Sequence, residues 1–110
     1  MVSLKKILFE VTEKEIEAYA KLSGDDNPVH LDHEYATSHG FSGKIAHGML
    51  TMAKVWGSIA NEFENMQFPK ELNLTFQSPV YAGEPVELTL VEKDHGIKIN
   101  SKVVKGEASI

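Results

Sequence analysis

The sequence predicts an α+β fold, a single domain in which one long central helix is wrapped by an antiparallel sheet. Two patterns and the chain length carry that prediction. From about Ala46 to Phe63, the residues Met49, Leu50, Met52, Ala53, Trp56, Ile59, Ala60 and Phe63 make a helix apolar around more than half its circumference, which marks it as largely buried. Further on, Leu72, Leu74 and Phe76 alternate with Asn73, Thr75 and Gln77, and Val86, Leu88 and Leu90 alternate with Glu87, Thr89 and Val91, the period-two signature of strands. In 110 residues a sheet is the available wrapping for such a helix, and these segments supply it.

The other elements follow in chain order. Leu4 to Val11 reads as a strand. Thr12 with Glu15 three residues later is a capping-box pattern that opens a helix running through Lys21, with Ile16, Ala20 and Leu22 expected on its inward side. Ser23 and Gly24 end that helix and lead into a loop from Asp25 to His30 that is not expected to be regular helix, because Pro28 lacks an amide proton and pushes Asn27 out of the helical region. Asp32 caps a short helix ending near Ser38, and His39 to Lys44, with two glycines, reads as a flexible flap. Pro79 to Pro85 is a connection, Asp94-His95-Gly96 is a turn between antiparallel strands, and Ile97, Ile99 and Val103 continue the apolar alternation. No internal repeat, low-complexity tract or linker divides the chain, so one domain over residues 1–110 is expected.

Composition narrows the function. A net charge of −5 makes nucleic acid and anionic membranes poor partners, since both select basic surfaces. The absence of cysteine excludes disulfides, thiol nucleophiles and thiolate metal sites. The apolar run near the amino end is too short and interrupted for a signal peptide or membrane span, which points to a cytoplasmic protein. A core this small gains from a partner subunit, and a homodimer or higher homo-oligomer is expected.

The chemistry concentrates between Leu22 and His30. Asp25 and His30 stand five positions apart on a bent, restrained backbone, a carboxylate and an imidazole able to converge on one water. His47 and Gly48 stand at the start of the buried helix, where amides lack intrahelical acceptors and the macrodipole favours negative charge. Each feature has a plainer reading. Asp25 and Asn27 can act as turn caps, Asp26 as a solvent-facing charge, His47 as a residue that orients the helix start, and the Met49, Met52 and Trp56 stripe as core. His30, His33, His39 and His47 lack tight ligand spacing, so no metal and no other cofactor is expected.

Three blocks of this chain, Ser23 to His30, then Phe41 to Ala46-His47-Gly48-Met49-Leu50, then Phe76-Gln77-Ser78-Pro79-Val80 with Gly83-Glu84, resemble the MaoC-like family of (R)-specific enoyl-CoA hydratases and dehydratases. The resemblance covers nearly everything from Val11 onward. It implies the hot-dog fold, a homodimer with a combined sheet, and a site for an acyl-CoA or acyl-carrier-protein thioester near the dimer interface. It also implies that Asp25 and His30 hold the catalytic water, that the Gly48 amide binds the thioester oxygen, and that His47 and Asn27 complete the oxyanion and substrate-binding surroundings. Two departures stand out. Gly106-Glu107-Ala108 resembles the family's final strand but follows Val104 almost at once, which points to a shortened or missing strand and an edge for a partner to cover. Trp56 stands nine residues after His47, where relatives can carry a small hydroxyl residue, and its indole is expected to shorten the acyl pocket or alter how Asp25 is held.

The resulting expectation is (R)-specific hydration or dehydration of short- to medium-chain 2-enoyl or 3-hydroxyacyl thioesters by a hydro-lyase. Two alternatives stand beside it. One is a hot-dog thioesterase that directs water at the carbonyl, and the other is a noncatalytic acyl-CoA-binding or assembly subunit.

Overall fold

The computed structural model describes residues 3–62 and 69–109. In chain order they form β1 (Ser3–Phe9), α1 (Glu13–Ser23), α2 (Pro28–Leu31), α3 (His33–Ser38), α4 (Gly48–Glu62), β2 (Glu71–Phe76), β3 (Val86–Lys93), β4 (Gly96–Asn100) and β5 (Val104–Ser109). The strands make one antiparallel sheet in the order β1-β3-β4-β5-β2, and α4 lies against it, the hot-dog arrangement expected from the sequence.

Alternation places the core. Val86, Leu88 and Leu90 on β3 and Ile97 and Ile99 on β4 turn inward to meet Val55, Trp56 and Ile59 of α4, while Glu87 and Lys98 face solvent. The expected final strand is present as β5, inserted between β4 and β2, and Val103 belongs to the turn before it rather than to a strand. Ser101 builds that turn: its hydroxyl oxygen accepts from the amides of Val103 and Val104 at 3.1 and 2.8 Å. At Gly106 the β5 backbone crosses so close to Asn73 that a Cβ would overlap the Asn73 carbonyl oxygen, so only glycine fits this register.

The helical layer obeys its local signals. Thr12 accepts from the Glu15 amide at 3.1 Å and Glu15 reaches back to the Thr12 amide at 3.0 Å, completing the capping box, and Gly24 closes α1 with φ +79°, a left-handed conformation that suits glycine. Asp32 caps α3 through the Tyr35 amide.

Several expectations need correction. Leu22 is 87% exposed, not inward, because it lies about 240° around α1 from Ile16 at 100° per residue. The long helix begins at Gly48, so Ala46 and His47 precede it, and Phe63 lies outside the described residues. Met49 is 65% exposed and Ala53 is exposed as well: they share an i, i+4 line with Gly57, opposite the buried Thr51, Val55 and Ile59. One sheet covers one side of the helix. Phe76 is 44% exposed because β2 is an edge strand, flanked on one side only. The loop does contain a turn of helix, since proline is well suited to a first helical position: Pro28 opens α2, and Asn27 caps it by accepting from the Val29 amide at 3.1 Å. The segment from His39 to Lys44 is tied down, with the Ser42 amide donating to the Tyr81 hydroxyl, Lys44 paired with Glu13 at 2.9 Å, and Ile45 bridged to Tyr81.

Candidate active site

Three segments meet where α1 ends, α2 turns and α4 begins. Ser23 starts the approach: its hydroxyl accepts from the Asp25 amide at 3.1 Å, and the Asp25 carboxylate in turn accepts from the Asn27 amide at 3.4 Å. These short-range turns, with the Asn27 cap after them, bring His30 back toward Asp25. His30 Nε2 stands 4.0 Å from Asp25 Oδ2, the imidazole largely buried and the carboxylate about half exposed.

The tautomer of His30 follows from its other contact. Nδ1 lies 2.8 Å from the Ile45 carbonyl oxygen, which can only accept, so Nδ1 carries a proton, and in the neutral ring Nε2 presents a lone pair beside Asp25. A carboxylate oxygen and an imidazole lone pair 4.0 Å apart are both acceptors. That spacing suits one water donating a hydrogen to each, which leaves the water oxygen's own lone pairs directed away from both acceptors.

His47 lies beneath the pair. Its Nε2 donates to the Asp25 carbonyl oxygen at 2.9 Å, and its ring stacks on His30 with centroids 3.8 Å apart and an interplanar angle of 28°. Asp25, His30 and His47 each offer one ligand-type atom within 4.8 Å of the others. The stacking disfavours a metal there: the rings' lone pairs lie in nearly parallel planes, whereas a tetrahedral ion needs donors converging on it at about 2.0–2.1 Å. The remaining histidines are apart from this group, His39 stacked on Tyr35, His33 beside Gly43 and His95 in the turn between β3 and β4.

Gly48 opens α4, so its amide is one of the first-turn donors that helix geometry leaves without an intrahelical acceptor. It lines an open cleft of about 330 Å³ together with Ile45, Thr51, Phe76, Pro79 and Val80. His30 and Asp25 do not line this cleft; His30 is linked to its wall through Ile45, whose carbonyl holds the His30 ring. Asn27 is exposed, its side-chain oxygen engaged as the α2 cap. Trp56 is buried in the apolar cluster with Val55 and Ile59. Lys44 and Lys54 are paired with Glu13 and Glu15.

Residues 4–110 match the family described as "MaoC like domain". The chain belongs to the MaoC-like family. Among curated relatives it is 36% identical over 75 residues to the mitochondrial 3-hydroxyacyl-[acyl-carrier-protein] dehydratase of Arabidopsis thaliana, covering 68% of this chain and 45% of that protein. It is 33% identical over 88 residues to the (R)-specific enoyl-CoA hydratase of Aeromonas caviae, covering 76% of this chain and 66% of the relative. The chain thus spans about half to two thirds of the length of these two relatives. The solved structure of the (R)-hydratase from A. caviae involved in PHA biosynthesis superimposes with a TM-score of 0.74 at 26% identity, over 96% of this chain and 91% of that one. MaoC-like proteins with such names are hydro-lyases acting on enoyl-CoA and 3-hydroxyacyl thioesters. Among the described residues, no helix is long and apolar enough to cross a membrane.

Sequence reasoning found the pair and the helix start. It did not find the stack of His47 on His30 or the Ile45 carbonyl that orients His30, because both join segments 15 or more positions apart and leave no periodic signal in the chain.

Proposed function

We propose that residues 1–110 form one hydratase domain that adds water reversibly and (R)-specifically to the double bond of short- to medium-chain 2-enoyl thioesters. The single observation that carries this reading is the facing of Asp25 Oδ2 and His30 Nε2 across 4.0 Å, a gap shaped for one water held by two acceptors.

The chemistry follows from what hydration requires. The water's hydroxyl bonds to the β carbon as the carbon–carbon π bond opens, and negative charge moves onto the thioester oxygen. The Asp25/His30 pair takes the proton the water releases and returns one to the α carbon, so no proton is gained or lost overall. The enolate oxygen needs a donor in place before the charge develops, and the Gly48 amide at the positive end of α4 supplies it. Glycine also leaves that amide open to close approach, since no side chain of its own stands beside it. A fixed water on one side of the substrate gives one hand of alcohol. Asn27 flanks the substrate from the α2 cap, and His47 acts from below the pair. Exposed apolar side chains at Met49 and Phe76 beside Gly48 suit an acyl chain and a second copy of the chain in a homodimer. The setting is a cytoplasmic one, with an acyl-CoA or acyl-carrier-protein thioester as substrate.

Crotonyl-CoA is the direct test. Loss of the enoyl absorbance with (R)-3-hydroxybutyryl-CoA as product is the expected result. Thioester cleavage with the alkene intact selects a thioesterase instead, and binding without turnover selects a noncatalytic subunit.

A further inference from the structure

Resting on the hydratase reading above, we propose that His47 is a positioning residue: a buried imidazole that holds Asp25 by its backbone and His30 by its ring, and so sets the gap in which the water is shared. The residue is 2% exposed, so its side chain acts through its neighbours rather than on substrate. Its Nε2–H donates to the Asp25 carbonyl at 2.9 Å, fixing the backbone from which the carboxylate projects. One face of its ring carries the stacked His30 at 3.8 Å, and Tyr19 of α1 packs against the ring at 4.8 Å and 59°. Its own carbonyl accepts both the amide and the hydroxyl of Thr51 at 3.0 Å, which begins α4 at the next residue, Gly48. One residue therefore links the Asp25 backbone, the His30 imidazole and the helix start that offers the oxyanion donor.

A packing role alone does not account for this ring. With Nε2 donating, Nδ1 is left as a buried acceptor without a hydrogen-bond partner among the described residues, an arrangement that lowers stability. A phenyl ring of the same outline fills the space without that defect but cannot donate to Asp25. Holding the pair in register is what the imidazole adds, and small displacements of catalytic groups cost rate steeply.

The test replaces His47 with Phe, which keeps the stack and loses the donor, and compares it with wild type, Asp25→Asn and His30→Ala on crotonyl-CoA. Expected is a melting temperature equal to or above wild type, a kcat reduced about 30-fold or more, and a KM within about threefold. His47→Gln, which keeps an N–H donor near the Nε2 position, is expected to recover part of the lost kcat. A folded His47→Phe protein with kcat within about threefold of wild type overturns the proposal while the hydratase reading stands. Should His47→Phe not fold, His47→Gln decides alone: a kcat reduced about threefold or more is expected, and one indistinguishable from wild type overturns it. A wild type inactive on crotonyl-CoA defeats the hydratase reading, and amide exchange across Gly24 to Asn27 then decides the positioning role. Exchange faster by about tenfold in the folded variant supports it, and unchanged exchange overturns it.

Discussion

The Lys54 ammonium lies 2.7 Å from Glu15 Oε2, and this contact joins α4 to the first turn of α1. Glu15 is also the returning arm of the Thr12 capping box, so one carboxylate ties the start of α1 to the central helix.

Acid should loosen that tie. Partial burial acts to raise the Glu15 pKa, but the Lys54 hydrogen bond and charge and the Thr12 amide and hydroxyl outweigh it and hold the carboxyl below its usual value. A folded-state pKa below the unfolded one means stability that is fully present above the unfolded pKa of about 4.5 and is lost as pH falls through the folded value. Urea unfolding at pH 7 and at pH 3.5 should show Glu15→Gln less stable than wild type at pH 7, with the difference shrinking at pH 3.5. Because the pair is partly exposed, the effect at neutral pH should be modest, about 0.5–1 kcal/mol.

Asp25→Asn and His30→Ala should each lower kcat for crotonyl-CoA hydration by at least about a hundredfold, since the first removes the carboxylate's basicity and the second the imidazole that shares the water. Asp25 lies in an exposed loop and His30 on a single helical turn, so thermal unfolding of both variants should remain cooperative. Combining them should cost little more than either alone, because the pair acts as a unit.

Gly48→Ala separates access from folding. Its Cβ would sit in ordinary contact with Phe76 Cε2 at 3.9 Å, so the melting temperature should change little. Alanine is also a better helix former than glycine. The new methyl group narrows the approach to the amide, and kcat/KM should fall by about tenfold or more, measured beside circular dichroism of the same samples.

Gly106→Ala should behave in the opposite way. Its Cβ would overlap the Asn73 carbonyl oxygen in the β2–β5 ladder, a backbone atom that cannot move aside without breaking the pairing. Loss of soluble folded protein, or destabilisation of about 2 kcal/mol or more in urea, is the expected outcome. A variant with wild-type stability would show that β2 does not pair with β5 in this register.

Short-range interactions were legible in the chain by itself. The Thr12–Glu15 box, the Gly24 stop, the Asp32 cap, the buried faces of β3 and β4 and the nearness of Asp25 to His30 all depend on residues a few positions apart, where backbone sterics and periodicity leave few solutions. Tertiary structure decided the rest. It placed β5 between β4 and β2, left Met49 and Phe76 uncovered, turned His30 by the Ile45 carbonyl and slid His47 beneath it. Those outcomes depend on which distant surfaces meet once α4 lies on the sheet, and a residue's own neighbours in sequence carry no record of that choice.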